Sequence, residues 1–414
     1  MRIDRLWRLL MSLPEGVLTI LSFWLGVLSK QRIPYAADLP TDVERKDSLD
    51  ISLAMPDGTL NKAAIGWSRH ATIDASLAEA PLMRRKYWNY WAVTDASSGL
   101  FFAVTVADLD YIGLLSVDVY DRTSGAAFNA SAVIPLGLGG DSCMPGRVFE
   151  TVRARGRGIS VSIDCTSSDR TTQRISVRAD RLNLVKSGNA SHTFLGTGSS
   201  LSADIEVVYP ANSEQLHVVV PWSSSRFQFT AKHNTLPASG SVTISLPGDG
   251  SPLVYKFDSQ SSFACLDYGR GVWPAYSRWN WSSFSGWDKS GQHRVGLNLG
   301  GKWTDGTGTT ENAVCIDGRL YRINGPAEWV YDTADWMKPW RLTAPTSADH
   351  DGDGAQVELV FTPSFDRFTK TNAIVIFSQV HQMLGTFEGT IRAGSKEFVI
   401  RDVFGWAEEH IALW

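Results

Sequence analysis

The sequence predicts an all-β protein: two tandem antiparallel β-barrel-like domains behind a short N-terminal helical segment. Three observations carry that prediction. Short runs of apolar, aromatic and β-branched residues recur along nearly the whole chain, many of them alternating with period two. Turn chemistry separates them at close spacing, as in Pro56-Asp57-Gly58, Pro247-Gly248-Asp249-Gly250 and Asp317-Gly318. Helical periodicity is confined to the N-terminal segment and to Trp406–Leu413.

Residues 1–37 form the helical segment. Arg2, Arg5 and Arg8 precede the apolar run Val17–Leu28, and Lys30 and Arg32 follow it. The run is shorter than the ~20 residues of a spanning helix, and Pro34–Ala37 is a poor cleavage site. It reads as a helix packed on the body or lying at a membrane interface, so peripheral membrane contact through residues 1–32 is an expectation.

Residues 38–235 form the first β domain, with strands expected at Tyr87–Thr94, Leu100–Val106, Leu114–Tyr120, Gly158–Cys165, Arg174–Ala179, Leu201–Tyr209 and Gln215–Pro221. The boundary is expected within Arg226–Ser239. Residues 236–414 form the second domain, with strands at Leu253–Phe257, His293–Leu299, Ala313–Ile316, Arg319–Ile323, Val357–Phe361, Ala373–Val380 and Glu397–Val403. Lys86–Trp91 and Arg278–Trp281 share a Trp-Asn step, a thin hint of duplication.

Composition narrows the function. The 414 residues are 43% hydrophobic, enough for two large cores, and the formal net charge of -4 leaves no basic surplus for nucleic acid. Cys143, Cys165, Cys265 and Cys315 lack zinc-ligand spacing and read as buried thiols of a reducing, cytoplasmic compartment. Asp349-His350-Asp351-Gly352-Asp353-Gly354 imitates the start of a calcium loop, but Val360 occupies the place of its last ligand. No metal is expected, and with no Gly-rich phosphate loop, no cofactor either.

The candidate site is the corner from Phe263 to Gly301. Trp279 and Trp281, two residues apart in a strand, share a face opposite Asn280 and Ser282. If Phe263, Cys265 and Asp267 point inward together, Asp267 lies among apolar neighbours, burial raises its pKa, and it suits a general acid. If Leu266 and Tyr268 point inward instead, Asp267 caps the Gly269–Gly271 turn or pairs with Arg270. Glu311 either shares acid and base work with Asp267 or orients Arg270. His381, ending an apolar run, is a candidate third catalytic group or a hydrogen-bonded core histidine. Trp273, Trp279, Trp281 and Trp303, with Arg270 and Asn312, are expected to hold the substrate.

Several motifs together resemble the domain-of-unknown-function family 2804. They are Gly66-Trp67-Ser68-Arg69, Leu266-Asp267-Tyr268-Gly269-Arg270-Gly271-Val272-Trp273-Pro274, Trp279-Asn280-Trp281, Asn298–Gly306, Glu311-Asn312, Phe361-Thr362-Pro363 and Gly405–His410. The resemblance spans about Asp38 to Trp414. More remotely, the aspartate, the Gly/Trp/Pro corner, Trp-x-Trp and a Gly-ended strand are similar to the carotenoid hydratase and AttH-like superfamily. That resemblance implies two tandem lipocalin-like barrels and an alkene-protonating role for the aspartate matched by Asp267.

The expectation is an enzyme acting on a hydrophobic small molecule (an isoprenoid, polyene or lipid) by acid-catalysed hydration, cyclisation or isomerisation. A non-catalytic carrier or sensor of a lipid-like ligand is the first alternative. A carbohydrate-active protein is the second, and it requires Asp267 and Glu311 to face one open cleft.

Overall fold

A computed structural model of the chain describes residues 41–46, 50–248, 250–345, 354–373 and 376–414. The expected N-terminal helix at 1–37 and the acidic turn at 349–353 lie outside the described residues. Among the described residues there is no α-helix, only two single-turn 3-10 segments, Lys62–Ala64 and Gly140–Ser142. No helix there is long and apolar enough to cross a membrane.

Apart from the short parallel pair Ile51–Ser52 and Ile73–Asp74, the strands build two curled half-barrel sheets. The first runs in the order Thr193–Phe194, Asn183–Leu184, Ala127–Pro135, Ile112–Asp121, Leu100–Asp108, Arg85–Asp95, Ser262–Val272, Arg226–Ser245, Ser200–Val208, Thr172–Ala179, Ile159–Cys165 and Val152–Gly156. Gly66–Ser68 and Leu216–Ser223 extend it beside the early part of Arg226–Ser245, and Leu253–Phe257 pairs with the later part. The second sheet runs Arg319–Arg322, Ala313–Ile316, Arg294–Gly301, Tyr276–Trp287, Lys396–Leu413, Ile376–Ala393, Ala355–Ala373, Trp340–Ala344 and Glu328–Val330. Each curls around its own apolar core, one built on residues such as Phe102, Val177 and Phe229, the other on Leu297, Phe361 and Phe387. Among the described residues the first ladder does not close on itself and the second is linked back only by the isolated bridge Arg322–Gly354, so these are open curls where the sequence suggested full barrels.

Two further expectations need correction. Trp406–Leu413 is the end of the strand Lys396–Leu413, paired with both Tyr276–Trp287 and Ile376–Ala393. Two strand neighbours supply every backbone group with a partner, which outweighs the weak helical period of eight residues. The segment Arg226–Ser239, within which the domain boundary was expected, lies inside the 20-residue strand Arg226–Ser245. Ser262–Val272 also belongs to the first sheet, so the sheets divide between Val272 and Tyr276 rather than at residues 235/236.

The long strand is kinked at a bulge between His233 and Leu236, where Thr235 takes a left-handed φ of 58°. The kink turns Asn234 and Thr235 toward the second sheet. The Asn234 amide donates to Ser283 Oγ (2.8 Å) and the Leu297 carbonyl (3.2 Å), while the Thr235 N–H donates to Ser285 Oγ (2.9 Å).

Candidate functional site

Ser262–Val272 is buried on both faces. Its even positions, including Leu266 and Tyr268, join the core of the first sheet; its odd positions turn toward the second sheet, where Cys265 packs with Trp281, Phe365, Leu384 and Trp406. Both faces named in the sequence reading are therefore inward, and Asp267 lies between the sheets. Cross-strand register assembles its surroundings: Lys232 and Tyr90 stand directly opposite it, while Thr230 and Trp88 stand opposite Gly269.

The result is a carboxylate–ammonium–carboxylate group. Lys232 Nζ lies 2.8 Å from Asp267 Oδ2 and 3.1 Å from Glu311 Oε2. Trp88 Nε1 and Thr230 Oγ1 donate to Asp267 Oδ1 at 3.1 and 3.3 Å, and Trp303 Nε1 donates to Glu311 Oε1 at 2.7 Å. The ammonium also sits 4.4 Å from the centroid of Trp281. Two glycines make room: a Cβ on Gly269 would lie 2.1 Å from the Trp88 ring, and one on Gly300 would lie 1.9 Å from Glu311 Oε1.

Burial alone would depress the Lys232 ammonium, but the charges of Asp267 and Glu311 outweigh it and hold its pKa above the ordinary lysine value. Burial pushes the Glu311 carboxyl up despite the pull of Lys232, with Asp267 adding repulsion. Side-chain exposure is 14% for Asp267 against 5% and 2% for Lys232 and Glu311, so Asp267 is the member that an incoming molecule meets.

Above this group the indoles collect around Trp273. Trp88, Trp222, Trp279, Trp303 and Trp414 all lie 4.8–5.9 Å from it, centroid to centroid. Trp273 and Trp303 are buried, whereas Trp88, Trp222, Trp279 and Trp414 are partly exposed and form a rim. The rings pack on one another edge-to-face or tilted, except that Trp273 with Trp303 and Trp279 with Trp414 are stacked. A surface cavity of about 420 Å³ lies elsewhere, among Val133, Arg157, Arg181 and Phe194.

Sequence reasoning missed Lys232, a lone lysine in the segment where the domain boundary was expected, and Glu408. Glu408 Oε1 accepts from Trp279 Nε1 (3.0 Å) and Oε2 from Gln382 Nε2 (2.8 Å); burial pushes its carboxyl up to about 7, against those hydrogen bonds. Strand alternation across Trp406–His410, read in place of a helix, would have turned Glu408 toward Trp279 and Trp281.

Arg270 does not fix Asp267. Three residues on, it faces the core of the first sheet, where its guanidinium donates to Pro145, Trp88 and Gly269 carbonyls and to Asn89 Oδ1, over the Tyr268 ring. Glu311 therefore does not orient Arg270; it binds Lys232. His381 stands apart too: its Nδ1 lies 2.9 Å from Asp366 Oδ2 and its ring stacks between Trp336 and Phe368, both 4.2 Å away. Asn312 braces the turn, accepting from Gly300 N–H and donating to the Gly325 carbonyl. Trp281 donates to Asn298 Oδ1 and Trp273 to Gln228 Oε1. Asp267 and Glu311 do not face one open cleft, because Lys232 fills the space between them. No cluster of metal-ligating side chains occurs among the described residues.

No curated protein matches the chain. Among solved structures it is similar to CghA in complex with Sch210972, at 11% identity and a TM-score of 0.42, covering 92% of this chain and 96% of that one. It is also similar to kievitone hydratase from Nectria haematococca (11%, TM-score 0.40, 78% and 88% covered) and to a putative AttH from Nitrosomonas europaea (12%, TM-score 0.42, 79% and 92% covered). The sequence profile of a domain of unknown function, DUF2804, matches residues 42–414, and the chain belongs to that family.

Proposed function

We propose that the chain binds an apolar, unsaturated small molecule against the Trp273 cluster and transfers a proton to it from Asp267. The observation that carries this reading is the partly exposed aromatic rim placed over a buried proton store whose one accessible member is Asp267. In the resting protein the proton lies on Lys232. An apolar ligand that covers Asp267 removes water from the ion pair, and a low dielectric favours the neutral carboxylic acid and amine. Asp267 then gives its proton to an alkene carbon; the π electrons form the new C–H bond and leave a cation on the adjacent carbon. Indole faces stabilise that cation. Attack by water gives hydration, attack by a second alkene gives cyclisation, and loss of another proton gives isomerisation. The proton that the product-forming step releases, from the added water or from a carbon beside the cation, returns to the Asp267–Lys232 pair, while Glu311 holds the Lys232 ammonium in place.

Incubation with candidate polyenes in D2O tests this. Wild type should incorporate deuterium at carbon, and Asp267→Asn should lose incorporation by at least a hundredfold while still quenching tryptophan emission on ligand uptake. Equal incorporation by the variant would end the acid role. The Lys232–Asp267 ion pair favours a second reading, a non-catalytic carrier. Uptake of an apolar ligand by wild type with no deuterium entering it and no change in its mass would decide for the carrier.

A further inference from the structure

At one end of the first sheet, Arg84 and Lys86 meet the aromatic rim, with Arg226 beginning a strand alongside, and none of the three has a carboxylate partner among the described residues. Register aligns them: Arg226 begins its strand beside Phe227, which pairs with Val272, and Val272 pairs with Arg85, between Arg84 and Lys86. Among the described residues no carboxylate lies within 4.0 Å of Arg84, Lys86 or Arg226. The nearby acids are engaged elsewhere. Asp110 takes the Arg85 guanidinium at 2.8 Å, and Asp108 accepts from the N–H groups of Asp110, Leu138 and Gly140.

Lys86 is 1% exposed, and among the described residues its ammonium reaches only Tyr111 OH at 3.3 Å and the Leu109 carbonyl at 3.5 Å. It lies over the rings of Tyr111 and Trp414, 4.5 and 5.6 Å from their centroids. Among the described residues two buried donors in the same cluster have no acceptor, Arg84 Nε and Trp414 Nε1. A buried ammonium without a counter-ion is costly, and an unpaired buried N–H adds to that cost. The cluster adjoins the Trp273 hub directly: Arg84 Nη2 donates to the Trp273 carbonyl at 3.1 Å, and the Trp414 ring lies 5.6 Å from that of Trp273.

Resting on the reading that the hub holds an apolar molecule, we infer that this molecule carries an anionic, oxygen-bearing end that docks on Lys86, Arg84 and the Trp414 indole N–H. The oxyanion supplies the missing counter-charge and the missing acceptors at once, and fixes how far along the apolar body Asp267 reaches. Burial, with Arg84 adding repulsion against the weaker pull of Asp110 and Asp108, lowers the Lys86 pKa to about 7, so its charge is available for a bound anion to stabilise.

Tryptophan quenching at pH 6.5 provides the test, with linoleate and dodecyl phosphate as anionic probes and methyl linoleate and dodecanol as neutral counterparts. Wild type should bind at least one anionic probe tenfold more tightly than its neutral counterpart; which one wins separates carboxylate from phosphate. Lys86→Met should erase the preference without lowering the melting temperature of the free protein, because it removes an uncompensated buried charge. A merely structural lysine would lower it. Should that variant fail to fold, the partly exposed Arg84→Gln should cut the preference at least threefold. Equal binding of anionic and neutral probes by wild type, or an undiminished preference in a folded variant, overturns the inference. Selective anion binding without turnover would remove the proposed proton transfer and leave this anchor standing; turnover with no anion preference would do the reverse.

Discussion

Replacing Lys232 with methionine should cost about 3–5 kcal/mol of folding free energy at pH 8, the usual result of removing one partner from a buried ion pair. Methionine matches the length of the stem, so the loss is one of charge. Separations of 2.8 and 3.1 Å correspond to attractions of about 5–6 kcal/mol each at an effective dielectric of about 20. Desolvating the three ions, at several kcal/mol apiece, offsets most of that gain in the native protein. Once the ammonium is gone, two carboxylates face each other with no counter-charge, and their folded-state pKa values rise above the unfolded ones. A raised carboxyl pKa costs stability wherever the unfolded group is ionised, and the cost falls as pH drops toward the folded value. The deficit should therefore be full at pH 8 and clearly smaller at pH 5. Guanidinium chloride unfolding, followed by tryptophan emission at both pH values, reads it directly. A deficit below about 1 kcal/mol at pH 8, or one that does not change with pH, would refute the triad as described here.

Two other perturbations probe the same interface. Burial raises the Glu408 pKa from 4.5 to about 7, so ionising it costs the native protein stability as pH rises, up to about 3 kcal/mol at pH 8. Glu408→Gln should match wild type near pH 5 and gain on it steadily toward pH 8; a difference in melting temperature that stays flat with pH would show that Glu408 is not held neutral. Gly269→Ala drives a methyl group into the Trp88 ring, and should cost about 1–3 kcal/mol through overpacking and lost contact with Asp267. Unchanged stability on chemical denaturation would mean that Trp88 is free to move aside.

Much of the strand pattern was legible because alternation and turn chemistry are local. Leu253–Phe257 appears with its expected bounds, and Asp317-Gly318 turns its hairpin with both residues at positive φ, 52° and 87°. The aromatic corner was legible too, because Trp279 and Trp281 sit two apart. What was not legible was which sheet each strand joins. Asp267 was placed in the second domain by its position along the chain, yet its neighbours across the ladder are Tyr90 and Lys232, 177 and 35 residues away. Lys232 was invisible for the same reason: a single lysine in an apolar strand reveals its role only when register sets it opposite a carboxylate. Arg270 misled because three residues along a strand means the opposite face.

The kink at Asn234 and Thr235 has a consequence for how the molecule comes apart. A hinge between two bodies usually lets each unfold on its own schedule, but here one strand is stitched into the first ladder while Asn234 and Thr235 hydrogen-bond to Ser283, Ser285 and Leu297 of the second. Loosening either half leaves buried hydrogen-bonding groups of the other without partners, so the two halves should melt as one cooperative unit, and neither would be a sound protein if expressed by itself.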